Sequence, residues 1–191
     1  MKDKWQIILS GVGGQGLIAC GSVLAEACTL YEDKNATLTS SYGIETRGTF
    51  TKSDIIISGE EIYFPEVLEP DIVVSLAQVA YNRYVSTIGS EALLVYDNEM
   101  VMNLKESSAK QHGYPFTSLA TELGHAAAAN MIALGVIISL TGIIGEESVY
   151  KAINAKYADK PKIAELNISA IKKGLMLPES SGNILEWAVE V

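Results

Sequence analysis

The chain has 191 residues, of which 48% are hydrophobic and 19% charged, and its formal net charge is −9 at pH 7. This length and apolar content predict one globular domain, residues 1–191, and exclude a disordered, collagen-like or linker-like chain. The acid excess and the lack of a basic block argue against a nucleic-acid partner, and 2 cysteines are too few for a disulfide framework or, alone, for an iron–sulfur cluster.

Short apolar runs and helical patterns alternate through the first half of the chain. Residues 5–9 are predicted to form a strand, and residues 17–31 a helix with one apolar face made of Leu17, Cys20, Leu24, Ala27 and Cys28. Further strands are predicted at residues 36–39, 48–51, 54–58, 71–75 and 92–97, with a helix at 78–88. The two cysteines would lie about 12 Å apart along one helix, so we expect reduced, structural thiols and a reducing compartment.

The second half is predicted to be mainly helical. Helices are expected at residues 126–140, 146–157 and 161–174, the last beginning near Pro161 and ending at Gly174, followed by a loop at 178–183 and an apolar tail. The pattern predicts an α/β fold: a Rossmann-like, mostly parallel sheet with helices on both faces and a helical C-terminal part. We find no signal peptide or membrane span, so we expect a cytoplasmic protein.

A glycine-rich loop, Gly11-Val12-Gly13-Gly14-Gln15-Gly16, lies between the first predicted strand and helix. Backbone N–H groups and the helix dipole favour an anion at such a junction, and glycine lets a ligand approach the backbone. The spacing also matches the dinucleotide pattern G-x-G-x-x-G. However, the second strand ends Thr39-Ser40-Ser41, without the acid that grips a ribose. An anion site and simple strand–helix packing both remain open.

A second motif, Ser41-Tyr42-Gly43-Ile44-Glu45-Thr46-Arg47-Gly48, follows the second predicted strand. In a parallel sheet it would lie near the glycine loop, at the carboxyl edge where ligands bind. Arg47 could hold a phosphate or carboxylate through two hydrogen bonds. Alternatively, Arg47 forms an internal ion pair with Glu45 that stiffens the loop.

Three further polar residues, His112, His125 and Asn130, are candidates for a functional role. One Glu122–His125 pair is not a metal-binding set, so His112 and His125 are predicted to be surface or capping residues. Asn130, which is polar among apolar neighbours, is predicted either to form a core hydrogen bond or to contact the loop edge. No G-x-S-x-G pattern or Ser–His–Asp set supports hydrolase chemistry.

Together, the glycine loop and the second motif resemble the gamma subunit of the 2-oxoacid:ferredoxin (or acceptor) oxidoreductases, of the pyruvate, 2-oxoglutarate and ketoisovalerate type. Segments 69–74, 120–124 and 130–135 are similar to the same family and stand in the same order. The resemblance covers roughly residues 5–160. One departure is Arg47-Gly48-Thr49 where the family usually has R-G-G, because threonine does not readily adopt a positive φ.

The resemblance implies a subunit of an oxidoreductase complex, with no complete active site, catalytic residue, metal site or bound cofactor in this chain alone. Thiamine diphosphate and magnesium would lie on alpha and beta subunits, and iron–sulfur clusters elsewhere, with a ferredoxin-like delta subunit as a further partner. The complex would convert a 2-oxoacid, coenzyme A and oxidised ferredoxin into acyl-CoA, carbon dioxide and reduced ferredoxin, with a mild preference for 2-oxoglutarate. The isolated chain could form a homodimer.

Within such a complex, some residues are expected to contact coenzyme A or a neighbouring subunit. They are Gly11, Gly13, Gly14, Gln15, Gly16, Ser41, Tyr42, Gly43, Glu45, Arg47 and Asn130. Ligand contact and interface both remain open, and both can hold together. The alternative functions are a free-standing Rossmann-like dinucleotide-binding protein and a purely structural assembly module.

Overall fold

A computed structural model of the chain describes residues 2–42 and 49–180. The strands are β1 (Lys4–Val12), β2 (Asn35–Tyr42), β3 (Phe50–Ser58), β4 (Ile72–Ser75), β5 (Leu93–Asp97) and β6 (Lys110–Tyr114). The helices are α1 (Leu17–Tyr31), α2 (Gln78–Tyr84), α3 (Phe116–Glu122), α4 (Ala129–Thr141), α5 (Glu146–Lys156), α6 (Pro161–Leu175) and α7 (Leu177–Ser180), and a 3₁₀ turn, Ala126–Ala128, precedes α4.

The six strands form one sheet in the order β2-β3-β1-β4-β5-β6. Only β3 runs against its neighbours, being antiparallel to both β1 and β2, while the β1–β4, β4–β5 and β5–β6 pairs are parallel. The predicted α/β fold with a mostly parallel sheet is therefore confirmed. Because Tyr42 lies opposite Thr51, the chain leaves β2 and enters β3 at the carboxyl edge of β1.

Alternate residues of the strands face two separate apolar cores. Ile7 and Leu9 of β1 belong to the larger core, which is built with α1, α3, α4, α5 and α6. Ile8, between them, belongs to a smaller core with Tyr81 of α2. This period of two places helices on both faces of the sheet, as predicted, but very unequally: among the described residues, one face carries only the seven-residue helix α2.

Two predicted strands, residues 48–51 and 54–58, are in fact one continuous strand, β3. The polar residues in its middle find partners inside the sheet: Lys52 forms a 2.5 Å ion pair with Asp54, and the Ser53 hydroxyl lies 3.5 Å from that of Ser40. Polar side chains therefore do not interrupt this strand.

Some elements differ from the sequence-based predictions. The sequence analysis predicts neither the strand β6 nor the helix α3. Strand β6 (KQHGY) has no apolar pattern because it is an edge strand in which only Tyr114 is buried. Helix α2 ends at Tyr84 rather than near residue 88, and residues 177–180 form the short helix α7 where a loop was expected. The apolar tail, residues 184–191, lies outside the described residues.

Gly174 does not end α6, which continues to Leu175. Helices α4 and α6 cross so closely at this point that a Cβ on Gly174 would lie 2.0 Å from the Ile132 carbonyl oxygen, and one on Gly135 would lie 2.4 Å from the Ile171 carbonyl oxygen. These two glycines therefore allow the helices to pack backbone against backbone. In the described ranges, no helix is both long and apolar enough to span a bilayer.

Candidate functional site

The glycine loop between β1 and α1 is open to solvent. Gly14 and Gly16 are exposed, and both have left-handed backbones, with φ of 102° and 68°. Gly16 is the N-cap of α1, and no side chain of residues 2–42 or 49–180 caps this helix. Within the described part of the chain, the first turn of this 15-residue helix has no side-chain cap, which is the arrangement that favours an anion.

The side chain of Gln15 holds the loop from inside. Its Oε1 accepts a hydrogen bond from the Val12 amide at 2.8 Å, and its Nε2 donates to the Leu76 carbonyl at 2.9 Å. Leu76 directly follows β4, so Gln15 joins the carboxyl ends of two neighbouring strands. A Cβ on Gly11 would lie 2.1 Å from Gln15 Oε1, so residue 11 must be small for Gln15 to adopt this position.

Asn130 fixes the loop from the helical side. Its Nδ2 donates a 2.8 Å hydrogen bond to the Gln15 carbonyl, 115 residues away in the sequence. The residue is buried, and a Cβ on Gly16 would lie 2.5 Å from the same Nδ2. The sequence left open a core hydrogen bond or a contact with the loop edge, and this bond is partly buried and made to the loop itself.

Strand β3 supplies a third attachment, since the Gly13 amide donates to the Thr49 carbonyl at 3.0 Å. Asp33 is the only non-glycine residue of the described ranges with a positive φ, so Thr49 fits here without the left-handed backbone that a glycine would permit. The threonine that departs from the R-G-G pattern therefore causes no backbone strain.

The two sequence motifs meet at one edge of the sheet. Ser41 is exposed and lies opposite Lys52, and Tyr42 lies opposite Thr51, next to the pairing of Gly11 with that same Thr51. Of the remaining predicted residues, Gly43, Glu45 and Arg47 lie outside the described residues.

The glycine loop also lies at a change of direction in the chain. Strands β1 and β4 are parallel neighbours, but α1 packs on the large-core face and α2 on the opposite face. In open α/β sheets, ligands bind in the crevice at the carboxyl ends of two such strands. Gln15 spans the floor of this crevice, which leaves the helix terminus as the accessible part.

The other candidate groups, the two cysteines and the two histidines, are not arranged for reactive or metal-binding chemistry. Burial raises the pKa of the Cys20 and Cys28 thiols to about 12, so both cysteines are protonated, free and structural, as predicted. Burial and the neighbouring Lys110 lower the pKa of His112 in β6, whereas His125 is exposed at the start of the 3₁₀ turn. The described residues contain no group of three or more His, Cys, Asp or Glu that could hold a metal ion.

Residues 6–177 match the pyruvate ferredoxin/flavodoxin oxidoreductase family. The chain belongs to this family. Among its relatives, the 2-oxoglutarate synthase subunit KorC of Methanocaldococcus jannaschii is 40% identical over 178 residues, which cover 91% of this chain and 94% of KorC. The KorC subunit of Archaeoglobus fulgidus is 36% identical over 175 residues, covering 91% and 88% of the two chains.

Members of the family differ in length. The ketoisovalerate oxidoreductase subunit VorA of Methanothermobacter thermautotrophicus is 31% identical over 187 residues, which cover 97% of this chain but only 36% of VorA. Among solved structures, the gamma subunit of a keto/oxoacid ferredoxin oxidoreductase from Geobacter sulfurreducens superposes with a TM-score of 0.79 at 28% identity, covering 99% and 98% of the chains. The fold is therefore that of a gamma subunit of this family.

From the sequence, Gln15 is predicted to contact coenzyme A or a neighbouring subunit. In the structure its side chain points into the loop and forms hydrogen bonds there. The signal that could have shown this is Gly11, which is four residues earlier and whose missing side chain leaves room for the Gln15 amide. The partner carbonyl of Leu76 has no sequence signal, because backbone groups carry none. The hydrogen bond from Gln15 to Leu76 depends on β4 lying beside β1 in the folded sheet.

Proposed function

We propose that this chain is the gamma subunit of a 2-oxoglutarate:ferredoxin oxidoreductase complex, and that its glycine loop binds an anionic group of coenzyme A at the contact with the catalytic subunits. The complex would convert 2-oxoglutarate, coenzyme A and oxidised ferredoxin into the acyl-CoA, carbon dioxide and reduced ferredoxin. The preference for 2-oxoglutarate rests on the relatives named as 2-oxoglutarate synthase subunits, which are 33–40% identical to this chain.

The observation that carries the proposal is the N-terminus of α1, which is exposed at Gly14 and Gly16 and is capped by no side chain that the structure describes. Backbone amides at a helix terminus donate to phosphate oxygens without needing a basic side chain, so a protein with a net charge of −9 can still hold a pyrophosphate. At Gly14 a Cβ would meet no atom within 4 Å, so this glycine leaves the backbone uncovered on the open side, as close approach by a phosphate requires.

The remaining residues have supporting roles in this proposal. Gln15 and Asn130 hold the loop in one shape through side-chain hydrogen bonds, so that less reorganisation is needed on binding. Arg47, which follows strand β2, would add a charge-assisted hydrogen bond to a phosphate or carboxylate. Thiamine diphosphate, magnesium, iron–sulfur clusters and the bond-making steps would belong to the alpha, beta and delta subunits.

The test uses Arg47→Ala in the assembled complex. We expect the KM for coenzyme A to rise at least fivefold while kcat changes little, because an interaction with bound coenzyme A is lost and the reacting centre is untouched. Lys110→Ala is the matched control, since it removes one exposed positive charge from the start of β6, at the opposite edge of the sheet. An intact complex with an unchanged KM would exclude the coenzyme A contact, whereas loss of copurification would indicate an interface role.

The isolated chain allows a second test by thermal unfolding with coenzyme A, NAD or FAD. A ligand at 100 times its Kd stabilises a protein by about 2.7 kcal/mol, which raises the melting temperature measurably. We expect stabilisation by coenzyme A only. A large shift with NAD or FAD instead would identify a free-standing dinucleotide-binding protein.

A further inference from the structure

A cavity of about 310 Å³ lies over strands β2 and β3, and we call it the β2–β3 cavity. Thr39 pairs with Asp54 across the two strands, and all four residues of this pair and the Ser41–Lys52 pair line the cavity. Asp54 also lies opposite Ile8 of the smaller core, so the cavity is on the α2 face of the sheet. Its volume is at the lower end of the range for small-molecule sites, about 300–1,000 Å³.

The floor of the β2–β3 cavity contains a carboxylate that is only half paired. Asp54 is 4% exposed, and its Oδ2 accepts a hydrogen bond from Lys52 Nζ at 2.5 Å. Its Oδ1 is buried and has no hydrogen-bond partner among residues 2–42 and 49–180. A buried charged oxygen without a donor costs free energy, so this atom provides an unfilled acceptor beside a cavity.

A second buried aspartate of the same sheet shows how the fold usually treats such a group. Asp97, at the end of β5, is 1% exposed, and both of its oxygens are paired. Its Oδ1 accepts from the Glu99 amide at 3.0 Å, and its Oδ2 accepts from the Thr117 amide at 3.1 Å and the Thr117 hydroxyl at 2.6 Å. The described chain thus satisfies Asp97 completely but leaves one oxygen of Asp54 for a donor from outside.

The charges around the β2–β3 cavity decide what kind of donor fits. Its lining includes two carboxylates, those of Asp54 and the exposed Glu66, but only one cationic group, that of Lys52. The Lys52 charge is already paired with Asp54. An anion would therefore meet an excess of negative charge, whereas a positively charged group with N–H donors would complete both the hydrogen bonding and the charge balance.

We propose that the β2–β3 cavity binds a small organic ammonium compound, whose –NH3+ group donates a hydrogen bond to Asp54 Oδ1. The hydroxyl groups of Thr39 and Ser41, on the same face of the hairpin, would accept hydrogen bonds from the rest of the ligand. Glu66 would add a longer-range attraction from the exposed side of the cavity. This site is separate from the glycine loop, and the inference does not depend on the proposed function.

The first test is isothermal titration of the purified chain with ethanolamine. We expect saturable binding of one molecule per chain. Two comparison ligands each lack one required property: ethylene glycol has a similar size but no charge, and tetramethylammonium has the charge but no N–H donor. Both should bind at least tenfold more weakly, because only an ammonium group supplies a charge-assisted hydrogen bond to the buried carboxylate. This comparison uses the unaltered chain, so it does not depend on the folding of any variant.

Three variants then test the assigned atoms. Asp54→Asn keeps the shape of the side chain but removes its charge, and the Kd for ethanolamine should rise at least tenfold. Lys52→Met removes the cation that competes for Asp54, so the Kd should fall at least threefold. Asp71→Asn is the matched control, because the Asp71 oxygens already accept hydrogen bonds from Lys2 and the Gln6 amide, and its Kd should not change. Melting curves of the variants identify any folding defect.

Four outcomes would overturn the inference. One is the absence of saturable ethanolamine binding, and another is equal binding of ethylene glycol, which would show that charge is not recognised. Weaker binding of ethanolamine to Lys52→Met would show that Lys52 holds the ligand. Binding of Mg²⁺ that Asp54→Asn abolishes, without binding of ethanolamine, would assign the cavity to a metal ion. All four leave the proposed function intact, since that is tested with coenzyme A and Arg47→Ala.

Discussion

In the described part of the chain, the N-caps of α1 and α5 are both glycines, but among those residues only α5 receives a carboxylate. At the start of α5, the Gly145 amide donates a 2.9 Å hydrogen bond to Glu32 Oε1. At the start of α1, Gly16 is exposed and none of the described side chains caps the helix. Helix N-termini favour negative charge; Glu32 meets this preference at α5, whereas no side chain within residues 2–42 and 49–180 meets it at α1. The comparison indicates where an anion from outside would bind.

The two glycines also differ in backbone conformation. Gly145 has φ −74° and ψ 151°, an extended conformation that any residue adopts, whereas Gly16 has φ 68°. A Cβ on Gly145 would lie 3.4 Å from Glu32 Oε1, but one on Gly16 would lie 2.5 Å from Asn130 Nδ2. Glycine is therefore required at the start of α1 and merely accommodated at the start of α5.

The largest effect is expected for Gly16→Ala. A left-handed alanine costs about 1–2 kcal/mol, and displacing the Asn130 amide from the Gln15 carbonyl costs about 1 kcal/mol more. We expect a loss of about 3 kcal/mol in the free energy of unfolding by urea, against less than about 1 kcal/mol for the control Gly145→Ala. Equal losses for the two variants would refute the distinction between the two helix starts.

A smaller effect is expected when the Gln15 side chain, which holds the glycine loop, is removed. Gln15→Ala leaves the Val12 amide and the Leu76 carbonyl without this partner, at a cost of about 2 kcal/mol. Gly11→Ala alone should cost a similar amount, because its Cβ would displace the Gln15 side chain. In the double variant the clash is absent, so the total should stay near that of Gln15→Ala alone. Simple addition of the two losses in urea unfolding would contradict this arrangement.

The smallest effect is expected for Glu32, whose carboxylate accepts a hydrogen bond from the Gly145 amide at the N-terminus of α5. Hydrogen bonds from the Ser148 side chain and the Gly145 amide lower the pKa of Glu32. A carboxyl whose pKa is lower in the folded state stabilises the protein above its unfolded pKa of about 4.3, and this stabilisation is lost as the pH falls through the folded value. Because Glu32 is partly exposed to solvent, Glu32→Gln should cost only about 0.5 kcal/mol at pH 7.

Urea unfolding at pH 7 and pH 3.5 measures this difference. The gap between the unaltered chain and Glu32→Gln should narrow at the lower pH, because the glutamate then becomes protonated and resembles the glutamine. Glu165→Gln, an exposed position on α6, controls for the general loss of a negative charge. A gap of constant size at both pH values would show that Glu32 does not stabilise α5 through its charge.

Much of the α/β frame could be predicted because it depends on local pattern. The apolar positions predicted for α1, from Leu17 to Cys28, are all buried, and the continuous apolar runs of β4 and β5 form central parallel strands. The glycine loop was predicted at the correct junction for the same reason, since a strand, a tight turn and a helix follow each other directly in the chain. Edge strand β6, with little apolar periodicity, gave no comparable signal.

The sequence by itself determined the alternation of strands and helices, the position of the glycine loop and the family to which it is similar, because these features depend on residues close together in the chain. Only the tertiary structure decided the reversed direction of β3, the hydrogen bond from Asn130 to the loop and the inward orientation of Gln15. Each of these depends on contacts between segments far apart in the sequence. Such contacts form through backbone groups and packing, which leave no periodic pattern in the residues that make them.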